Sequence, residues 1–230
     1  MKNVFAALLV STIFSCQAQS DSSYKLNPEA FEKGFSEANT QVLDVRTATE
    51  FNMGHIKSTL QADWNNKTQF YDRIQYLDKS KTVYVYCLAG GRSSAAATWM
   101  RDNGFSKVLE LKGGINAWKN AGKPLEGQVN IPQMTMQDYL ASIPAGKTVL
   151  VDFGASWCPP CIKMAPVITD LENAGPADFK LIKVDAGIHT DVMKALQIGP
   201  IPVFIVYKNG KETWRKEGIV TKEELLSVLK

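Results

Sequence analysis

The chain has 230 residues, 45% of them hydrophobic and 21% charged, with 16 Gly and 10 Pro; this ordinary globular composition excludes a disordered or collagen-like chain. Lys and Arg number 26 against 23 Asp and Glu, a balance of +3 that becomes +2 once Lys2 is lost with its segment, too little to argue for nucleic acid. Four cysteines are too few for a disulfide-stapled scaffold, so each is read by its neighbours, and the length suits two domains of about 100 residues.

The first segment reads as an address. Lys2 precedes a ten-residue uncharged run over 5–14, followed by Ser15-Cys16 and the polar stretch QAQSDSS. A bilayer span needs about 20 apolar residues, so the run is a signal-peptide core and the chain is expected to be exported. Ile13-Phe14-Ser15-Cys16 resembles a bacterial lipobox, with Phe14 bulkier than the usual residue. That resemblance implies cutting before Cys16, lipidation of its thiol, and a membrane contact through the lipid alone. Cleavage after Ala18 by the ordinary signal peptidase is the other reading. Either way the mature protein belongs in the cell envelope or periplasm. Residues 1–16 are thus the signal and lipobox region, and the small polar residues of 17–23 suit a flexible tether.

A globular pattern begins at Tyr24. Short β-rich runs at 41–46, 81–87 and 107–114 alternate with helix-like stretches at 66–77 and 93–103, which predicts a parallel α/β sheet. Ala121-Gly122-Lys123-Pro124 interrupts the pattern, and the domain boundary is placed near 127, giving domains over 24–127 and 128–230. The second half alternates differently: helix 135–142, strand 148–153, helix 159–173, strand 179–185, helix 189–196, strand 202–207, a further strand and a helix from Thr221. Asn209-Gly210 is a strong hairpin signal, so the last two strands pair antiparallel in a mixed sheet.

Strand VYVY runs into Cys87, and a glycine-bearing loop (Leu88, Ala89, Gly90, Gly91, Arg92) opens a helix at Ser93. Backbone N–H groups and a helix N-terminus around a thiol favour an anion, lowering the thiol pKa and suiting a bound persulfide, phosphate or arsenate. Arg92 would add charge and donors for that anion. Asp44, Arg46 and His55 read as a scaffold ion pair and a packing histidine.

These residues, with Asp44-Val45-Arg46, Glu50-Phe51, Gly54-His55-Ile56 and Gly113-Gly114-Ile115-Asn116-Ala117-Trp118, resemble the rhodanese family over roughly 24–124. The resemblance implies that Cys87 takes a sulfane sulfur from a donor such as thiosulfate, carries it as a transient persulfide and passes it to a nucleophile. A six-residue loop is the length associated with sulfur transferases; related phosphatases and arsenate reductases use seven. Lys57-Ser58-Thr59 departs from the family's usual Pro-Gly-Ala turn.

In the second half, Trp157-Cys158-Pro159-Pro160-Cys161 follows a strand and opens a helix. Cys158 at the helix N-terminus gains from the dipole as a thiolate, and Cys161, one turn further in, is placed to resolve a mixed disulfide. Zinc would need two more ligands, and no second CxxC exists, so no metal is expected. Val151 to Trp157, Pro166 inside the helix and Ile201-Pro202 before a strand resemble thioredoxin over 128–230. The resemblance implies a redox-active Cys158–Cys161 disulfide and no other cofactor. It also implies a cis-proline at 202, an Ile201 backbone that holds an extended partner, and a buried Asp152 that accepts the Cys161 proton. Pro159-Pro160 differs from the Gly-Pro of cytosolic thioredoxins, and residues between the cysteines tune the potential. Leu181 falls where many thioredoxins carry the lysine that pairs with the buried aspartate.

Both halves point to sulfur exchange. The expected activity is thiol–disulfide oxidoreduction, as a reductase rather than an isomerase or oxidase, joined to sulfur transfer. Its partners would be a sulfane-sulfur donor, protein disulfides and an envelope electron donor, and the linker 124–132 would span about 15–18 Å if flexible. The alternative is a thioredoxin-like reductase whose first domain is a non-catalytic partner-binding module.

Overall fold

The computed structural model describes residues 21–127, 132–176 and 179–230. The signal region, Cys16 and part of the 17–23 tether lie outside the described residues, as does most of the segment around the expected boundary. No helix among the described residues is long and apolar enough to cross a membrane.

The first sheet holds five parallel strands in the order β1 (Lys25–Leu26), β5 (Lys107–Leu111), β4 (Thr82–Tyr86), β2 (Thr40–Asp44), β3 (Thr59–Gln61). Helices α1 (Pro28–Phe35), α2 (Ala48–Asn52), α3 (Lys67–Ile74), α4 (Gly91–Asp102) and α5 (Gly114–Asn120) make the connections or follow the last strand. A parallel sheet covered on both faces needs strands apolar on both sides, and β4 supplies them. Val83, Val85 and then Cys87 face a cluster with Phe70, Ala96 and Met100 from α3 and α4. Tyr84 and Tyr86 face Phe31 and Trp118 from α1 and α5. Elements α1, α2, β3 and α5 go beyond what the strand and helix patterns disclose.

The second sheet runs β7 (Phe179–Asp185), β6 (Thr148–Gly154), β8 (Val203–Lys208), β9 (Lys211–Glu217), with β6 parallel to β7 and antiparallel to β8. It is therefore mixed, as expected. The β8–β9 hairpin turns at Asn209 (φ 54°) and Gly210 (φ 75°), the two positive φ angles that a tight hairpin of the right twist requires. Helices α7 (Pro159–Ala174) and α9 (Lys222–Leu229) cover one face through Leu150, Phe204 and Val206. Opposite them, α6 (Met136–Ala141) and α8 (Thr190–Ala195) cover Val149, Val151 and Ile205.

The two halves touch at Trp157. The Gln61 N–H, on edge strand β3, donates to the Trp157 carbonyl at 2.9 Å. Phe51 of α2 packs against the indole at 5.3 Å between ring centroids, the Arg73 guanidinium of α3 lies 5.2 Å from it, and the Asn52 amide donates to the Gly187 carbonyl. An exposed sheet edge invites pairing; here the backbone next to Cys158 meets it.

Candidate active sites

Cys87 follows the last residue of β4 and is 1% exposed. Its sulfur accepts from the Gly90 N–H at 3.1 Å, and the Ser93 hydroxyl stands 3.4 Å away. Gly90 makes this possible by taking φ +109°, which turns the chain into α4 at Gly91; such an angle is strained for any side chain. Burial pushes the thiol up, but the Ser93 hydroxyl and the N–H groups of Ser93, Gly90 and Ala89 together bring it below its ordinary 9. Leu88 is 42% exposed, and Ala89 and Gly91 are also exposed, so the mouth of the loop faces outward.

The Gly-Gly-Ile-Asn stretch holds the loop from behind. Ile115 N–H donates to the Cys87 carbonyl at 2.8 Å and Asn116 N–H to the Leu88 carbonyl at 3.1 Å. A Cβ on Gly114 would sit 2.5 Å from the Cys87 carbonyl oxygen, so only glycine lets α5 approach so closely.

Arg92 is engaged elsewhere. Its guanidinium donates twice to Glu50, at 2.7 and 2.6 Å, and this pairing holds the Glu50 carboxyl down at about 2. Glu50 itself belongs to the capping box of α2. The arginine expected to serve the anion is thus tied to a carboxylate that the sequence reading did not place there. Asp44 and Arg46 form a buried bidentate pair at 2.6–3.0 Å, and the His55 ring stacks on Phe51 at 3.7 Å; all three residues serve the scaffold.

Cys158 caps α7. Its sulfur accepts from the Cys161 N–H at 3.3 Å, with Pro159 and Pro160 at the first two helical positions, where no intrahelical N–H bond is forfeited. The two cysteines are joined as a disulfide, and Pro166 lies inside the helix. Cys158 is fully buried, its Sγ lies 3.7 Å from the Ile201 carbonyl oxygen, and the Ile201–Pro202 peptide is cis. Trp157, Pro159 and Pro160 are buried around it.

Asp152 lies on β6, with its side chain on the face that α7 covers. A Cβ built on Gly154 would lie 3.4 Å from Asp152 Oδ1 and 3.7 Å from Cys161 Sγ, so carboxyl and sulfur border one small space that this glycine leaves open. The same residues line a cavity of about 370 Å³. Burial pushes the Asp152 carboxyl up from 3.8 to about 6, Lys183 pulls it back, and Glu172 adds to the rise. Lys183 is thus the cation that acts on Asp152, where the sequence places Leu181 at the family's usual lysine position. Leu181 stands opposite Leu150, while Lys183, two residues on, stands opposite Asp152 and bonds Glu172 at 2.9 Å.

Compared with known proteins, residues 27–121 match the family model "Rhodanese-like domain" and residues 130–230 the model "Thioredoxin". A chloroplastic thioredoxin Y of Oryza sativa is 36% identical over 80 residues, 35% of this chain and 48% of that protein, so the chain spans about half of that relative. Thioredoxin of Mycobacterium tuberculosis is 35% identical over 92 residues, 40% of this chain and 77% of that protein. The uncharacterized protein YqhL of Bacillus subtilis is 36% identical over 115 residues, 50% of this chain and 87% of that protein.

Proposed function

The chain belongs to the rhodanese-like family over 27–121 and to the thioredoxin family over 130–230, and from that premise we propose that it is an envelope enzyme in which the Cys158/Cys161 dithiol reduces a persulfide carried on Cys87. Domains of these two kinds support sulfur transfer and thiol redox chemistry in general. The observation that carries the finer reading is the position of α2. Its Glu50 binds Arg92 of the Cys87 loop, and the adjacent Phe51 packs on Trp157, the residue before Cys158. One short helix therefore borders both sulfur sites.

The Cys87 thiolate attacks the outer sulfur of thiosulfate, sulfite leaves, and Cys87 holds a persulfide. The Cys158 thiolate attacks that outer sulfur, expelling Cys87 as thiolate; Cys161 then attacks Cys158 Sγ, closing the disulfide and releasing hydrosulfide. Two electrons pass from the dithiol to the sulfane sulfur, and an envelope dithiol donor restores Cys158 and Cys161. A lipid on Cys16 would anchor the protein on the membrane without a spanning helix.

Single-turnover sulfide release tests this, with Cys87 preloaded as persulfide and the CPPC dithiol pre-reduced. The expected result is first-order release at a rate independent of protein concentration and lost in Cys158→Ser; release equal in the two proteins would mean two tethered activities. Glu50→Gln gives a second expectation. It removes the charge that draws Arg92 aside, so the KM for thiosulfate should fall about three- to tenfold in initial-rate assays while kcat holds, in line with the strength of charge-assisted bonds.

A further inference from the structure

Between α3 and the Cys158 loop lies a cavity of about 310 Å³ whose lining includes Asp72 and Arg73 on one side and Pro160, Ile201, Pro202 and Glu217 on the other. It borders the Ile201–Pro202 cis peptide, whose Ile201 carbonyl oxygen lies 3.7 Å from Cys158 Sγ, and one of its walls comes from the rhodanese-like half. That volume is at the low end for small-ligand sites. Cys158 is fully buried and its neighbour Trp157 is bonded to the first domain, so a folded protein finds little room at the sulfur.

Arg73 is the informative wall residue. It is 3% exposed, and among the described residues its hydrogen bonds go to Gln61 alone, to the carbonyl at 3.2 Å and to the side-chain oxygen. Burial brings its guanidinium down to about 10, with only Asp63 pulling the other way. A buried cation hydrogen-bonded only to neutral oxygens, with the Trp157 ring 5.2 Å away and Asp63 as the one carboxylate acting on it, is costly and gains from an anion that bonds it directly. Two exposed carboxylates line the same cavity, Asp72 beside Arg73 and Glu217 on the opposite side. One cation and two carboxylates around a small space complement a ligand that carries a carboxylate and an ammonium group together.

We propose that this cavity admits low-molecular-mass zwitterionic disulfides, cystine-like in chemistry, to the CPPC dithiol, with Arg73 holding a carboxylate and Asp72 and Glu217 an ammonium group. The proposal rests on the reading of Cys158 and Cys161 as a reducing dithiol, and it names the substrate class that the cavity selects. Cys158 thiolate attacks one sulfur of the disulfide and expels one aminothiol. Cys161 attacks Cys158 Sγ and expels the second, so two electrons leave the dithiol and both protons end on the released thiols.

The test mixes the pre-reduced full chain with L-cystine, with cystamine (which has the ammonium groups but no carboxylates) and with insulin, following tryptophan fluorescence as the CPPC disulfide forms. Rates are normalised to those of dithiothreitol with the same disulfides. Cystine should exceed cystamine by about tenfold and insulin by about a hundredfold. Arg73→Met should cut the cystine rate about tenfold and leave cystamine within about threefold, with Arg73→Lys recovering part of the loss. Equal normalised rates for cystine and cystamine in the unaltered protein, or equal losses on both in Arg73→Met, would overturn the proposal, and the first comparison decides even if the variant does not fold. If none of the three oxidises the dithiol, the reductase reading itself falls and takes the proposal with it.

Discussion

Cys87→Ser should lower sulfite release from thiosulfate by at least about a thousandfold, while reduction of a small disulfide by Cys158 and Cys161 stays within about twofold. The size of the loss follows from chemistry: a hydroxyl is neither ionised near neutral pH nor able to carry a sulfane sulfur, and removal of a nucleophile is among the largest single-residue effects on an enzyme. Among the described residues Cys87 is the one cysteine outside the disulfide, so with Cys158 and Cys161 oxidised no other described thiol can take its place. The selectivity follows from geometry. Serine is smaller than cysteine, its oxygen can still accept from the Gly90 N–H that now meets the sulfur at 3.1 Å, and the altered bond costs only about 1 kcal/mol of stability. Initial rates on both substrates with one protein preparation check this. A variant that keeps thiosulfate activity would remove Cys87 from the mechanism; one that loses both activities would show a fold defect instead.

What the sequence discloses depends on how local the signal is. The β4 run and the glycine loop after Cys87 were legible because a continuous β-rich run and a glycine-bearing turn into a helix are consequences of neighbouring residues alone. The Asn209-Gly210 hairpin and the Cys158 cap on α7 were legible for the same reason. Helix α2 has five residues, ATEFN, and β3 has three, TLQ; neither is long enough to display a period. What they do is also non-local. Glu50 reaches Arg92 across 42 positions, and the Gln61 N–H meets the Trp157 carbonyl from the other half of the chain. Lys183 was missed for a subtler reason. Residues 181 and 183 point to the same face of β7, so alignment to a motif locates the face, while only the register of β7 against β6 decides which of the two stands opposite Asp152. Arg73 had no motif at all, since its meaning comes from burial against Trp157 in the other domain.

Asp152→Asn should slow disulfide turnover by about ten- to a hundredfold above pH 6, in the range of losing a positioned proton acceptor, and should stabilise the protein at the same pH. Burial raises the carboxyl from 3.8 to about 6, so the folded chain favours its protonated form. Its contribution to stability is complete below 3.8 and is lost as pH rises through about 6. A displacement of that size corresponds to roughly 3 kcal/mol at full strength, and solvent around this half-buried group reduces it to about 1–2 kcal/mol. Asparagine is neutral at every pH and escapes that loss. Urea denaturation of the oxidised protein at pH 3 and pH 8 should therefore give curves for wild type and variant that nearly coincide at the lower pH, where the carboxyl is largely protonated in folded and unfolded chains alike, and separate at the higher, with the variant more stable. The rate data should move in the opposite direction: the wild-type profile rises through about pH 6 as the acceptor ionises, and the variant's does not. A purely structural aspartate would leave that inflection in place. Activity lost and stability gained over the same pH interval would identify Asp152 as the group held unfavourably in the fold in order to take the Cys161 proton across the space beside Gly154.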